Sequence, residues 1–256
     1  MLNFILYEYR FYHVSMMKNK KWLILSMAGI LIMNIARSQK IIPIEIVSSP
    51  AQSAYSDNML QYAVHKQLPA GYEKEALEAL SHFPELKDVT IKFRVEKSFA
   101  TLKTRPAFLS MFMPKGHRAY IITISNKTTA KLVPLMFANL SAEARIGVIG
   151  HELSHVVDFS KRNDWQCLKM AIGHLSPHYL DHFEYNTDMI CIQHGLGKDL
   201  EAWSSYIRKT MHTVFWRGAD YVYKGDDKYE RYMNPSTIEK NIPANGTFSS
   251  QFTQAK

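Results

Sequence analysis

The chain has 256 residues, 46% hydrophobic and 21% charged, and its 31 Lys and Arg outnumber 23 Asp and Glu to give a net charge of +8. The basic residues are scattered, without the basic run or aromatic platform that nucleic-acid binding needs, so the excess reads as surface solvation, compatible with attraction to anionic envelope surfaces. No internal repeat or low-complexity segment occurs.

Near the start, Lys18-Asn19-Lys20-Lys21 precedes residues 22–36. This mostly apolar run of about fifteen residues has the proportions of a signal peptide rather than of a spanning helix, which needs about twenty. Ala36-Arg37-Ser38 offers small residues for cleavage before Gln39, and Met16-Met17 marks an alternative translation start. The competing reading is an uncleaved anchor. No cysteine follows the run, which argues against a lipoprotein. Removing residues 1–38 takes away five basic residues and one acidic residue, leaving a net charge of +4 on residues 39–256, enough chain for one domain with a real core. The mature chain is then secreted or periplasmic, with no membrane span after signal cleavage.

Residues 73–82 read as a backing helix ending before Pro84. Residues 89–95, 107–113 and 119–125 read as three short strands, rich in β-branched and aromatic residues and bounded by Pro and Gly. Next comes a helix with Ser141 as N-cap and Glu143 in its first turn. Ile146, Val148, Ile149, Leu153, Val156, Val157 and Phe159 make it apolar on most sides, which predicts a buried central helix. Gly147 and Gly150 each weaken a helix by about 1 kcal/mol relative to Ala, so their presence predicts close approach of another backbone. Further helices are expected over 164–174, 177–194 and 199–211. A short last one has Asn234 as cap and Pro235 at its first position.

The central helix carries His151-Glu152-Leu153-Ser154-His155. One helical turn separates the two histidines, and Glu152 falls between them in projection on the same side. Buried ionisable groups without partners are costly, and a metal ion satisfies all three. Two imidazole ligands and a nearby base are the minimum kit for metal-assisted hydrolysis. A third ligand must lie elsewhere. In the 177–194 helix, Glu184, Asp188 and Cys191 recur on one face, and acidic residues on an inward face are anomalous. Glu184 as a ligand and Asp188 accepting the free N–H of a zinc-bound histidine would explain both.

With these residues the sequence resembles the gluzincins, the zinc metallopeptidases that include thermolysin and the membrane-linked CAAX-processing and HtpX-like enzymes. The resemblance implies Zn2+ on His151, His155 and Glu184, Glu152 as general base, and Asp188 as the orienting carboxylate. It covers two helices and little more. Phe183 stands where thermolysin-like enzymes have asparagine, and Thr187 replaces the small residue common before the aspartate. Metzincins are set aside, because Asp158 and Lys161 occupy the places of their Gly and third His. An aspartate-ligand site using Asp181 or Asp188 stays open. His174, His178, His182 and His194 read as solvated or core histidines.

Three protein ligands leave a fourth position for water, whose pKa falls to about 7 on zinc. The oxyanion needs another donor, for which His212, Arg217, Tyr221 and Tyr223 are candidates. The expected architecture is α+β and zincin-like: a small antiparallel sheet packed on the active-site helix, its edge strand lying along the cleft, followed by a mainly helical C-terminal subdomain. The expected function is an exported zinc-dependent endopeptidase acting on peptide or protein substrates. One rival is a catalytically silent zincin fold that binds envelope partners, against which the intact Glu152 argues; another is a zinc amidase acting on non-protein substrates. Cys167 and Cys191 either pair, as export allows, or stay as buried thiols.

Overall fold

The sheet is mixed, not antiparallel, because its third strand inserts at the edge rather than between its neighbours. A computed structural model describes residues 57–108, 110, 113–221 and 230–243, which lie in a unit spanning Tyr55–Lys256. The N-terminal signal segment falls outside the described residues. A short helix α1 (Asp57–Leu60) leads into β1 (Lys66–Gln67), α2 (Glu73–Ser81), β2 (Ile91–Glu96), β3 (Leu102–Pro106) and β4 (Tyr120–Ser125). The spatial order is β1-β2-β4-β3. Strands β2, β3 and β4 alternate in direction, but β3 passes outside β4, so β2 and β4 lie side by side and run parallel from Ile91↔Tyr120 to Glu96↔Ser125. Between β1 and β2, also parallel, α2 makes the crossover that such a pair requires. Only β3 and β4 are antiparallel.

The strand expected over 107–113 is displaced to Leu102–Pro106. That segment holds two cations and a proline, which hide it from an apolar-run criterion. At a sheet edge the cations reach water and the missing proline N–H costs no ladder bond. Of the apolar stretch that looked like the strand, Phe108 and Met113 are exposed, and Ser110 sits in a turn closed by its hydroxyl on the Ala107 and Ala119 carbonyls.

Helix α3 (Ala142–Lys161) runs through the core of this unit, with fourteen of its residues buried. Ser141 caps it by accepting from the Ala144 N–H at 3.2 Å. It is followed by α4 (Asp164–Gly173), α5 (Pro177–Cys191), a wide turn over Ile192–Leu196, α6 (Gly197–Met211) and α7 (Pro235–Asn241). Gly195, at φ +90°, lets the chain bend between α5 and α6. Helix α7 starts at Asn234-Pro235 as expected, but the Asn234 side chain accepts from Arg208 Nε at 2.7 Å instead of capping its own helix. None of the residues of α4 is buried, and Trp165, Leu168 and Ile172 on it are exposed. Among the described residues no helix is long and apolar enough to cross a membrane.

The two glycines of α3 sit where neighbours press hardest. A Cβ at Gly147 would lie 2.1 Å from the Asp199 carbonyl oxygen of α6, and one at Gly150 would lie 2.5 Å from Leu196 Cδ1 and 3.0 Å from Cys191 Sγ. The first obstacle is backbone and cannot swing aside. Whereas Gly→Ala in an open helix gains about 1 kcal/mol, Gly147→Ala is expected to lower stability by about 2–3 kcal/mol through overpacking, read as a lower urea midpoint. Gly150→Ala, which meets only side chains, should cost less. Cys191 lies in this same contact, buried near the Gly147 carbonyl, while Cys167 on α4 lies 3.4 Å from Arg118 Nη1. Both cysteines are free thiols, so the pairing alternative is not realised.

Candidate metal centre

Helix α3 presents His151 and His155 one turn apart, and α5 crosses it to bring Glu184 between them. Glu184 Oε2 is 3.2 Å from His151 Nε2 and 3.3 Å from His155 Nε2. The three donor atoms lie within 4.8 Å of one another. Both imidazoles are buried, at 2% and 7% exposure, and their rings meet edge to face.

Each ring nitrogen pointing away from that centre has a partner. His151 Nδ1 is 2.7 Å from Asp188 Oδ1, and the second Asp188 oxygen accepts the Met233 N–H at 2.7 Å. Thr187 Oγ1 is 3.3 Å from His155 Nδ1. Phe183 and Phe159 pack against the His155 ring with their planes near-parallel to it, at centroid distances of 5.1 Å and 5.9 Å. Phe183, the departure from the thermolysin-like pattern, thus serves as a wall of the site.

The charges at the convergence point are mutually stabilising. Burial alone would push the His151 imidazole down, yet the Asp188 and Glu184 carboxylates outweigh it and raise it to about 10. Burial would push Glu184 up, and the two imidazoles hold it well below the usual carboxylate range instead. Glu152 is 6% exposed, and its Oε2 has no hydrogen-bond partner among the described residues. Two imidazole nitrogens and a carboxylate oxygen form a donor set suited to a divalent metal ion, and Glu152, which lines the same cleft as His151, has an unpaired oxygen that suits a group handling protons.

Other candidate ligands are engaged elsewhere. Asp181 pairs with Arg217 Nη2 and Arg231 Nε, both at 2.8 Å, and Asp188 is held as described, so neither belongs to the cluster. His174 is 2.7 Å from the Met170 carbonyl through Nδ1, and burial lowers its pKa. His178 and His182 contact each other on α5, and His194 stacks on Phe83. None of the four joins the metal cluster.

The candidates for an oxyanion donor fare differently. His212 is an exposed residue ending α6. Arg217 is committed to Asp181 and lies over the Tyr221 ring, with Arg231 on the same ring. Tyr223 lies outside the described residues. A residue not anticipated from sequence, Tyr232, lies near the cluster: its ring is 5.5 Å from His151, and it lines a cleft together with His151, Glu152 and Gly218. Burial, then the nearby Glu184 carboxylate, push its hydroxyl pKa well above the usual value. Arg208, donating to the Tyr232 carbonyl at 2.8 Å, and Ser204, donating to that of Met233 at 2.7 Å, hold the segment in place. The signal was weak because an isolated tyrosine next to an arginine looks like any surface pair.

The rest of the cleft is apolar, walled by Leu132, Leu135, Val148, Trp203, Ile207 and Trp216. Thr101 and Leu102 of the edge-strand region also line it, and Thr104 of β3 donates to the Glu152 carbonyl at 3.2 Å. Comparison with protein-family models, with curated protein sequences and with solved structures gave no significant match.

Proposed function

We propose that the chain is an exported zinc-dependent endopeptidase. The carrying observation is the convergence of His151 Nε2, His155 Nε2 and Glu184 Oε2, with an unpaired, buried oxygen on Glu152, which lines the same cleft as His151. Zinc bound there would polarise the scissile carbonyl and bring the pKa of a water to about 7. Glu152 takes the proton of the attacking water and returns it to the leaving amine. The Tyr232 hydroxyl donates to the oxyanion as it forms. An extended substrate adds along the outer edge of β3, and the apolar walls of the cleft contact a small substrate side chain next to the scissile bond. Export rests on the basic-then-apolar N-terminal sequence.

Zinc analysis of the purified chain, alongside digestion of a mixed peptide library with and without chelator, tests this reading. Expected are one zinc per chain and peptide cleavage that stops on chelation. Cleavage indifferent to chelator would overturn it.

Two further results should follow. Tyr232→Phe is expected to lower kcat by about 10²–10³-fold, the usual effect of deleting one oxyanion donor, with KM little changed. The second concerns pH. In the metal-free chain the raised His151 pKa contributes stability that is complete below 6.5 and lost as pH rises through about 10. Zinc must displace that proton, so its dissociation constant is expected to fall about tenfold per pH unit between pH 6 and 9. Calorimetric titrations in buffers of different ionisation enthalpy would count the released proton.

A further inference from the structure

We propose that Thr187 is the positioning residue that aims His155 at the metal, a role that rests on the metal-site reading above. Thr187 is 1% exposed. Its hydroxyl has one hydrogen, donated to the Phe183 carbonyl one turn back at 2.9 Å, so toward His155 Nδ1, at 3.3 Å, it offers a lone pair. With that lone pair as its acceptor, a metal-bound His155 donates through Nδ1 and leaves Nε2, the atom facing Glu184, for the metal.

The two stacked phenylalanines set the plane of the His155 ring, but an apolar stack is indifferent to which nitrogen points where. The hydroxyl makes that choice. Helix α5 thus delivers Glu184, Thr187 and Asp188 on one face, at i, i+3 and i+4: a metal ligand and the orienting partner of each histidine. The two partners differ in kind. His151 leans on a carboxylate, which makes its imidazole more basic, and His155 on a neutral hydroxyl, which orients without adding charge. A threonine that only back-bonds within its helix would be indifferent to metal, and this separates the two roles.

The test compares zinc dissociation constants, by competition with a chromophoric chelator, for the full-length wild type, Thr187→Val and Thr187→Ser. Urea midpoints and near-UV circular dichroism of the metal-free chains establish that each is folded. Valine keeps the shape and loses the acceptor, so its constant is expected to rise about 10–100-fold, as is typical when an outer-sphere partner of a metal-bound histidine is lost. Serine keeps the hydroxyl and should stay within about threefold of wild type on the same argument. Replacing zinc by Co2+ adds a spectroscopic check, since valine should alter the visible absorption bands and serine should not. A folded valine variant that binds zinc as tightly as wild type overturns the proposal, as does a serine variant as impaired as valine. Wild type that binds no zinc brings down the metal-site reading itself, an outcome distinct from either.

Discussion

A Glu152→Gln chain is expected to retain one zinc and to lose peptide hydrolysis by about 10²–10⁴-fold, the range that a positioned general base contributes. Glu152 is not among the three converging donors, so metal content should not depend on it. Glutamine matches it in shape and keeps the helix intact, but it cannot accept a proton from water at neutral pH. The unpaired Oε2 has no structural bond to lose, and the variant should unfold at the wild-type urea concentration. Metal content by emission spectroscopy, and initial rates on a peptide identified from the library, measure both halves. Undiminished turnover with zinc in place would refute the assignment of Glu152 as base.

Glu184→Ala is expected to weaken zinc binding by more than about 100-fold, because even the loss of an outer hydrogen-bonding partner costs about 10–100-fold. His151→Ala should do the same by removing one nitrogen. In Glu184→Ala the two imidazoles face each other without the carboxylate that reconciles them. His151 keeps Asp188 as a partner but loses the raising effect of Glu184, so its pKa falls. Asp188→Asn should fall in between, since it leaves all three ligands but loses the charge behind His151 Nδ1. It should also disturb Tyr232 through the Met233 N–H. Equilibrium dialysis against buffered zinc ranks the three. If Glu184→Ala holds zinc as tightly as wild type, Glu184 is no ligand and the hydrolase reading loses its third donor.

The portions legible in the sequence were those carried by spacing within one helix. His151, Glu152 and His155 share a face because of the 3.6-residue period, and the same period puts Glu184 and Asp188 on one face of α5. The Ser141 cap and the close approach at Gly147 were readable for the same local reasons. Thr187 and Phe183 looked like mere departures from a pattern, since their meaning depends on a ring that belongs to another helix. The third strand went unseen because an edge strand escapes the demand for a continuous apolar run, and with it went the parallel pairing of β2 and β4. The fates of Asp181, Arg217 and the two cysteines could not be read, because each depends on which segment lies opposite.

Taken alone, the sequence determined the two helices, the faces on which their chemistry lies and the α+β character of the chain, since helical and strand periodicities are properties of neighbours along the backbone. Only the tertiary structure decided that Glu184 meets both imidazoles, that Asp188 and Thr187 each take one of them, that Tyr232 lines the cleft and that the sheet is mixed. Those contacts join residues tens of positions apart. They are selected by packing around α3 and by the cost of leaving buried polar groups unpaired, conditions that no local pattern encodes.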